Sequence, residues 1–413
     1  MHNSYPLISN QPQNKLYFAL FKRDLMYQKF SAGKLFTGSE IIHDQVLITN
    51  ANGIIENIVS PEDAGDDIQY IEGILSPGFV NCHCHLELSH MRSLIPEKTG
   101  LIDFVFSVVT KRHFNDEEIL QAIATAEEEM LNNGIVAVGD ICNNSTTALQ
   151  KSKQRLHYYN FIEASGWLPQ IADARMSRAV EVYQAFCQLS TPACQNSAIV
   201  PHAPYSVSDN LWQLLQPHFQ DKTVSIHNQE TNFEDELFIQ GSGDFTRMYQ
   251  LMKLDTSFFS PSGKSSLQTY FPRLKGAKNV LLVHNTFTKE KDVLYAKEQA
   301  TIKNQQLFFC LCANANLYIE DALPPLEMLM HTGCNLVLGT DSLASNHSLS
   351  ILDEMKTLRQ HFNAITTVQL LQMATLNGAK ALNKDNTLGS FEKDKQPGVI
   401  VISEDLSSVK RLL

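Results

Sequence analysis

Three histidines, two cysteines and a glutamate lie within the stretch GFVNCHCHLELSH, residues 78–90. Imidazoles and thiolates bind transition metals, and a close cysteine pair can also be redox-active. His83 and His85 are two positions apart, so in a β-strand both side chains point to one face and reach one ion. Cys82 and Cys84 point to the opposite face, where small buried thiols pack as apolar residues. The stretch therefore predicts half of a metal site.

Two imidazoles do not complete a catalytic zinc site, which takes three protein ligands and an open position. Further candidates stand at the ends of later β-rich segments: His202, His227, His284 and Asp341. A single histidine at a strand end is more often structural than functional. Four further strand ends that carry His or Asp at equivalent depth favour one shared site.

Glu230 adds a carboxylate to this set, three residues beyond His227 in the segment HNQE. From there it can contact a substrate without binding the metal. A glutamate is also favoured at a helix N-terminus by the helix dipole. We prefer the functional interpretation because a hydrolytic metal site needs a group that shuttles protons.

The segments that carry these residues alternate with helical stretches such as 117–132, 206–219, 289–303 and 350–376. The β-rich runs are 74–85, 134–141, 156–164, 197–205, 222–230, 279–287, 306–314 and 335–343. Near-continuous apolar strands that alternate with helices predict a parallel sheet, and eight such units predict an α/β fold of the (β/α)8 TIM-barrel type. Chemistry in that fold belongs at the C-terminal ends of the strands.

The two ends of the chain predict a second, smaller unit. Residues 16–73 read as a β-meander with an Asn-Ala-Asn-Gly hairpin signal, and 388–403 is β-like again. We therefore expect a small composite β-sandwich domain from residues 1–73 and 382–413, beside a catalytic barrel of residues 74–381. The stretch 231–278 is longer than a normal crossover, and we interpret it as a lid.

Composition excludes several classes of function. The 413-residue chain has 43% hydrophobic and 19% charged residues, typical of a globular protein, and a net charge of −11 that argues against nucleic-acid or anionic-membrane partners. No apolar run approaches the roughly 20 residues that span a bilayer. The first residues lack the pattern of a signal peptide, which favours a cytoplasmic location. The eight cysteines show no disulfide framework, so most are expected to be reduced.

Five segments resemble the signatures of the amidohydrolase superfamily: PGFVNCHCHLE, PHAPYSVS, SIHNQE, LLVHNTFT and LVLGTDSLASNHSL. Within it they are most similar to the mononuclear deaminases of the chlorohydrolase, guanine deaminase and adenosyl-homocysteine deaminase group. The pattern H-x-H-L-E-x-S also resembles a subgroup that includes the aminofutalosine deaminases. Binuclear members carry a lysine on the third or fourth strand, and LHYYNFIEA and SAIVPHAPY have none, which favours one metal.

The resemblance implies one Zn²⁺ per chain, with Fe²⁺ as an alternative. The implied ligands are His83, His85, His227 and Asp341. Asp341 would also accept a proton from the attacking water. The strand-six histidine, His284, would orient that water.

The remaining implied residues face the substrate. Glu230 is expected to be the proton shuttle, and His202 to contact the substrate. Glu87 is expected either to hydrogen-bond a ribose hydroxyl or to hold the local backbone. Ser145, in the loop after the second strand, is a further candidate contact.

The sequence leaves three functions open. The first is a hydrolytic deaminase that releases ammonia from an amino-substituted heterocycle, with adenine nucleosides favoured over pterins or guanine. The second is a hydrolase of cyclic amides or C–Cl bonds on the same scaffold. The third is a catalytically silent metal-binding protein. The expected partner is a small heterocyclic amine, and a homodimer is common among such relatives.

Overall fold

The computed structural model describes residues 27–413, so the part of the predicted meander before residue 27 lies outside the described residues. In chain order the strands are β1 (Tyr27–Phe36), β2 (Ile41–Ile42), β3 (Gln45–Asn50), β4 (Ile55–Val59), β5 (Gln69–Pro77), β6 (Phe79–Cys84), β7 (Ile135–Cys142), β8 (His157–Ala164), β9 (Ser197–Pro201), β10 (Thr223–Asn228), β11 (Asn279–His284), β12 (Gln306–Leu311), β13 (Asn335–Leu338), β14 (Val399–Ile402) and β15 (Val409–Arg411).

The α-helices are α1 (Pro61–Ala64), α2 (Leu101–Lys111), α3 (Asp116–Asn132), α4 (Ala148–Lys151), α5 (Ala172–Leu189), α6 (Thr191–Gln195), α7 (Asp209–Leu215), α8 (Glu234–Gln240), α9 (Phe245–Leu251), α10 (Ser266–Tyr270), α11 (Glu290–Ile302), α12 (Ala313–Glu320), α13 (Leu326–His331), α14 (Ile351–His361), α15 (Thr367–Ala374) and α16 (Leu376–Ala381). A 3₁₀ turn, Leu86–Met91, follows β6 directly.

Eight parallel strands carry the residues of interest, and helices or turns separate successive strands. β6 to β9 form one four-stranded parallel sheet and β10 to β13 form another. Their residues are buried almost throughout, which explains the near-continuous apolar runs in the sequence. At the seam between β6 and β13 a parallel bridge joins Cys84 to Asp341, and the Thr340 and Asp341 amides donate to the His83 carbonyl at 3.0 Å. At the seam between β9 and β10 the His227 amide donates to the His202 carbonyl at 3.0 Å. The order of elements is that of a TIM barrel.

The helices between the strands cover the sheets with one apolar face. In α3, Asn115 caps the N-terminus by accepting a hydrogen bond from the Glu118 amide. The buried side of this helix includes Ile123 and Met130, which join the main hydrophobic cluster together with residues of β7. Such packing holds the strand ends, and the side chains on them, in fixed positions.

Both ends of the described chain build a separate sheet. Its order is β15-β14-β5-β1-β3-β4, with β2 on the edge of β1. The described residues form this one sheet rather than the two layers of a sandwich, so the predicted β-sandwich is not confirmed. The pairing of β14 with β5 joins the C-terminal strands to the N-terminal ones. β5 leads through Gly78 into β6, the strand that carries His83 and His85.

The long stretch between β10 and β11 is folded. It contains α8, α9 and α10, and it buries Phe245 and Tyr249 in a second hydrophobic cluster together with α2 residues such as Phe104. The lid interpretation stays a prediction. Among residues 27–413, none of the helices combines the length and the apolar character that a membrane crossing requires.

Six cysteines carry free thiols, and Cys187 and Cys194 form a disulfide. The general expectation of reduced cysteines therefore does not extend to this pair. Cys82 and Cys84 are fully buried, and burial raises the pKa of each thiol well above its usual range. They belong to the main hydrophobic cluster, as small packing residues do.

Candidate active site

His83, His85 and Asp341 converge at one end of the parallel strands. The Nε2 atoms of the two histidines are 3.2 Å apart. Asp341 Oδ1 lies 3.5 Å from His83 Nε2 and 3.2 Å from His85 Nε2. Ligand atoms about 2.0–2.1 Å from a tetrahedral ion are roughly 3.3 Å apart. The three atoms therefore have the spacing of a ligand set.

His227, on β10, brings a third imidazole to this group. Its ring centroid is 4.9 Å from that of His83, and potential ligand atoms of His83, His85 and His227 lie within 4.8 Å of one another. Its Nδ1 donates to the His202 carbonyl at 2.8 Å, which leaves Nε2 with the lone pair that a metal requires. The donor set of three imidazoles and one carboxylate fits a single zinc-type ion.

His85 and His227 are held in their neutral form, which is the form that binds metals. Burial lowers the pKa of His85 to about 3, although Asp341 opposes the shift. Burial and the neighbouring imidazoles also lower the pKa of His227 well below its usual range. For Asp341, hydrogen bonding to His83 and the nearby imidazoles outweigh burial and keep its pKa well below the usual range.

Several site residues have left-handed backbone conformations. The φ angles of Asp341, His284 and Gln229 are +57°, +73° and +43°. Non-glycine residues adopt this region at a cost, and such strain concentrates at functional sites. A Cβ on Gly339 would lie 2.8 Å from His83 Cβ. Only glycine lets the end of β13 approach β6 so closely.

Glu230 and His284 lie side by side next to this group. Glu230 Oε1 is 3.6 Å from His284 Nε2, and both residues are buried. On the other side of the ring, Asn316 Nδ2 is 3.2 Å from His284 Nδ1 and fixes its orientation. Burial, and then the charge of Asp341, raise the pKa of Glu230 well above its usual range. Burial lowers the pKa of His284 to about 3. The pair therefore combines a carboxyl whose protonated form is favoured by burial with a neutral imidazole.

A cavity of about 770 Å³ opens onto these residues. His202 lines it, with Nδ1 2.8 Å from Ser206 Oγ. Burial lowers the pKa of His202 to about 4, so the ring is neutral. The apolar wall comes from α2, α9 and the loops beside them: Leu88, Leu101, Phe104, Val108, Trp167, Met248 and Tyr249. The volume suits a drug-sized ligand.

Two predicted substrate contacts are placed elsewhere. Glu87 is buried and does not line the cavity: Oε1 accepts from Arg112 Nη2 at 3.2 Å and Oε2 from the Asn143 amide at 3.1 Å. Of the two expected roles, the contacts of Glu87 match the one that holds the local structure. Ser145 is exposed and does not line the cavity either. The sequence could not distinguish Ser145 from its neighbours Asn143 and Asn144, which do line the cavity.

Sequence reasoning missed Glu163 and Arg112. Glu163 is the second-last residue of β8, lines the cavity and lies 3.5 Å from His227 Nδ1. Its other oxygen accepts from Asn143 Nδ2 at 3.1 Å. A carboxylate at the end of a barrel strand was an available signal for Glu163. Arg112 follows the last residue of α2, and nothing in the sequence marked it as a residue of the site. His90 Nε2 bonds the Arg112 carbonyl at 3.0 Å, which holds that end of the helix.

Comparison with known proteins gives relatives over most of the chain. A protein named 5-methylthioadenosine/S-adenosylhomocysteine deaminase from Teredinibacter turnerae is 27% identical over 346 residues, which cover 80% of this chain and 71% of that protein. An adenosine deaminase from Helicobacter pylori is 27% identical over 340 residues, 81% of this chain and 80% of that one.

Among solved structures, Helicobacter pylori aminofutalosine deaminase in complex with methylthio-coformycin superposes with a TM-score of 0.76 at 23% identity, over 91% of this chain and 92% of that one. An adenosine deaminase from Xanthomonas campestris with bound zinc gives a TM-score of 0.69 at 22% identity, over 92% and 85%. These likenesses show the fold alone, which is of the TIM-barrel type.

The resemblance drawn from the sequence motifs is confirmed by a comparison with protein families. The family model described as "Amidohydrolase family" matches residues 74–411, which span the strands of the site and continue into β14 and β15. This chain belongs to the amidohydrolase family.

Proposed function

We propose that this protein is a metal-dependent deaminase that hydrolyses the exocyclic C–N bond of an adenine-nucleoside-like substrate and releases ammonia. The observation that carries the proposal is the pairing of Glu230 with His284, 3.6 Å apart and buried beside the metal-ligand group. Pure metal binding needs neither residue. The relatives named as deaminases of adenosine and 5-methylthioadenosine support the substrate class.

One ion per chain, Zn²⁺ in the first place and Fe²⁺ as the alternative, would be held by His83, His85, His227 and Asp341. When bound, such an ion supplies Lewis acidity that lowers the pKa of a water from 15.7 toward about 7. The bound zinc of the Xanthomonas campestris structure supports this choice. The spacing of Nε2 and Oδ1 atoms within the group is compatible with it.

The protein's own groups then move the protons. The ionised Asp341 accepts a proton from the attacking water, and Ser345 holds its second oxygen through a hydrogen bond of 2.5 Å. His284, fixed by Asn316, orients the water toward the carbon that bears the amine. Glu230, which burial keeps protonated, donates to the adjacent ring nitrogen and makes that carbon electrophilic.

Addition of the water oxygen gives a tetrahedral carbon that carries a hydroxyl and the amine. Asp341 passes its proton to the amine, the C–N bond breaks and ammonia leaves, and the hydroxyl proton returns to the Glu230 carboxylate as the carbon becomes a carbonyl. We propose that His202 contacts the substrate, since its Nε2 is not used by Ser206 and the ring lines the cavity. Glu87 and Ser145 do not line the cavity, so any effect that they have on the substrate would pass through the residues that do.

We propose further that the eight parallel strands close into a (β/α)8 barrel comprising residues 74–381. Residues 27–73 and 382–413 would then form the composite β-domain, and residues 1–26, which the sequence prediction also assigned to it, lie outside the described residues. The bridge between Cys84 and Asp341 and the bond from His227 to His202 support closure at the two seams. A homodimer, a cytoplasmic location and a lid at 231–278 remain predictions.

The test is an ammonia-release screen on protein whose metal content has been measured. The panel contains adenosine, 5′-methylthioadenosine, 5′-deoxyadenosine, guanine, a pterin and cytosine. Release of ammonia from the adenine nucleosides at enzymatic rates is the expected result. A chlorotriazine and a cyclic amide are included, and release of chloride or a ring-opened acid in place of ammonia would instead identify the alternative hydrolase. Protein that binds metal yet turns over none of these compounds would contradict the proposal.

A further inference from the structure

Next to β6, the strand of the first two candidate ligands, lies a buried ion pair that the proposed chemistry does not use. Lys151 Nζ, at the end of α4, is 2.5 Å from Asp140 Oδ2 on β7, and the two side chains are 4% and 0% exposed. The same ammonium donates to Asn160 Oδ1 at 2.8 Å and to Cys142 Sγ at 3.2 Å, so each of its three protons has an acceptor. Burial alone would lower the pKa of Lys151, but Asp140 and then Cys142 raise it above its usual value, and the amine keeps its charge.

Stability alone does not explain charged groups at this place. Two charges lose their hydration when they are buried, and an apolar pair of similar volume is often at least as stable. The second oxygen of Asp140 supplies another reason, because Oδ1 accepts a hydrogen bond from the Leu86 amide at 2.8 Å. Leu86 is the first residue of the 3₁₀ turn Leu86–Met91 and directly follows His85. The ion pair is therefore one backbone amide away from a candidate metal ligand.

The Leu86 amide needs a partner from outside its own turn. The first N–H groups of a helical turn have no acceptor within it, and the His85 side chain makes no capping hydrogen bond in the part of the chain that the structure describes. Asp140 caps the turn from the neighbouring strand. On the other side of His85, the Asp341 amide donates to the His83 carbonyl at 3.0 Å. The backbone around His85 is thus held on both sides.

The imidazole of His85 has few other anchors. A metal-binding histidine usually donates its second ring N–H to a carboxylate or a carbonyl, which fixes the orientation of the ring. His227 follows this pattern through its bond to the His202 carbonyl at 2.8 Å. The Nδ1 atom of His85 is buried and has no hydrogen-bond partner among residues 27–413. The direction of this ring therefore depends on the backbone on either side of it.

We propose that Asp140 and Lys151 are positioning residues of the metal site: Asp140 fixes the turn that directs the His85 ring, and Lys151 holds and neutralises Asp140. The inference rests on the metal site of the proposed function and concerns the affinity of that site. An ionised carboxylate is a stronger acceptor for an amide than a neutral oxygen, and the buried ammonium compensates its charge in the interior. Groups that orient metal ligands commonly change metal affinity by about 10–100-fold.

Two double variants separate the capping bond from the ion pair. Asp140→Asn/Lys151→Met and Asp140→Leu/Lys151→Met both remove the two charges, but only the first keeps an oxygen that can accept from the Leu86 amide. Titration of the full-length, metal-free protein with Zn²⁺ against a competing chelator measures the Kd. We expect the Kd of the second variant to rise about 10–100-fold, and that of the first to stay within about threefold of the wild type.

Tyr158→Phe is the matched control for a loss of stability without a change at the turn. Lys151 Nζ lies 4.9 Å from the centroid of the Tyr158 ring, yet the Tyr158 hydroxyl donates to Glu127 at 2.8 Å and not to the turn. Its unfolding midpoint should fall while its Kd for Zn²⁺ stays at the wild-type value. If Asp140→Leu/Lys151→Met does not fold, Asp140→Thr/Lys151→Met takes its place, because a threonine hydroxyl is one bond shorter than the carboxylate arm, and the same rise in Kd is expected.

Three outcomes would overturn this inference: a wild-type Kd in the variant that lacks the acceptor, equal Kd values in the two double variants, or equal weakening of Zn²⁺ binding by Tyr158→Phe. In each case ammonia release by the wild-type protein would still support the deaminase function. Wild-type protein that binds neither Zn²⁺ nor Fe²⁺ would overturn the metal-dependent function together with the inference.

Discussion

At the scale of single residues, the proposed chemistry depends on whether the carboxyl group of Glu230 keeps its proton. Glu230 is 4% exposed and lies against His284, so little solvent is available to stabilise a negative charge on its carboxyl. We expect Glu230→Gln to lower kcat by about 10²–10⁴-fold, the usual contribution of a general acid. The change is nearly isosteric, so metal content and the unfolding midpoint should stay at the wild-type values.

Steady-state kinetics and metal analysis on the same preparation check this prediction. Glu236→Gln is the matched control, since Glu236 is exposed on α8 a few residues away. It should keep wild-type kcat. Turnover close to wild type in Glu230→Gln would exclude Glu230 as the proton shuttle.

His227 and His202 are neighbouring imidazoles to which we assign different roles. Their ring centroids are 4.7 Å apart, yet His227 faces the ligand group while His202 bonds Ser206. His227→Asn should therefore purify with far less than one metal per chain, because it removes one of four ligands. His202→Asn should retain the metal and raise KM.

Elemental analysis after dialysis distinguishes the two variants. His90→Asn, at a residue bonded to the Arg112 carbonyl and outside the ligand group, serves as the control and should bind a full equivalent. Equal metal loss in His202→Asn and His227→Asn would mean that the ligand set has been assigned incorrectly.

At the scale of elements, the stretch between β10 and β11 anchors the turn that carries Glu230. Gln229 precedes Glu230, and its Nε2 donates to Asp235 Oδ1 at 3.1 Å and to Asp292 Oδ2 at 3.2 Å. Asp235 belongs to α8 and also accepts from the Ser266 amide of α10. These bonds hold Gln229 at its left-handed φ of +43°. The stretch is therefore attached to the active site as well as lining the cavity.

Gln229→Leu removes both bonds and leaves buried carboxylate oxygens without these donors. We expect a loss of roughly 1–3 kcal/mol in the free energy of unfolding, and a lower kcat because Glu230 is no longer held in position. Urea unfolding and kinetics well below the melting temperature measure the two effects separately. Gln240→Ala, at an exposed position of the same stretch, should change neither. A stability loss with unchanged kcat would assign Gln229 a purely structural role.

The same elements show how far a sequence predicts such a site. The strand-end residues were predictable because each follows an apolar run, and β6, β10, β11 and β13 bring their ends to one face. Arg112 and Asn143 were not, because their contacts with Glu87 join a helix end and a loop across 25 and 56 positions. The single sheet formed by the two chain ends was also not predicted, because the alternation of polar and apolar residues along a strand does not show how many sheets the strands form.

At the scale of the whole molecule, buried carboxyls couple stability to pH. Burial raises the pKa of Glu234 to about 8, although Ser266 and the Gln229 amide oppose the shift, and burial raises that of Glu354 to about 8 as well. In the unfolded chain a glutamate has a pKa of 4.5 and loses its proton near that pH. Between pH 4.5 and 8 each of these two carboxyls therefore binds more protons in the folded protein than in the unfolded chain. Their contribution to the free energy of unfolding falls as pH rises through this window, whereas the buried histidines, whose pKa values are lowered, contribute with the opposite sign below about pH 6.5.

Glu234→Gln isolates one of these groups, because glutamine keeps an acceptor for Ser266 and Gln229 but cannot ionise. Within this window the free energy of unfolding of the variant should have a less negative, or more positive, slope against pH than that of the wild type, by up to about 1.4 kcal/mol per pH unit. Urea unfolding at pH 5.5, 6.5 and 7.5 measures both slopes, and the difference between them cancels the titration of the histidines that the two proteins share. Glu236→Gln, exposed on the same helix, should follow the wild-type slope. Parallel curves for Glu234→Gln and wild type would mean that Glu234 is already ionised in the folded protein at these pH values.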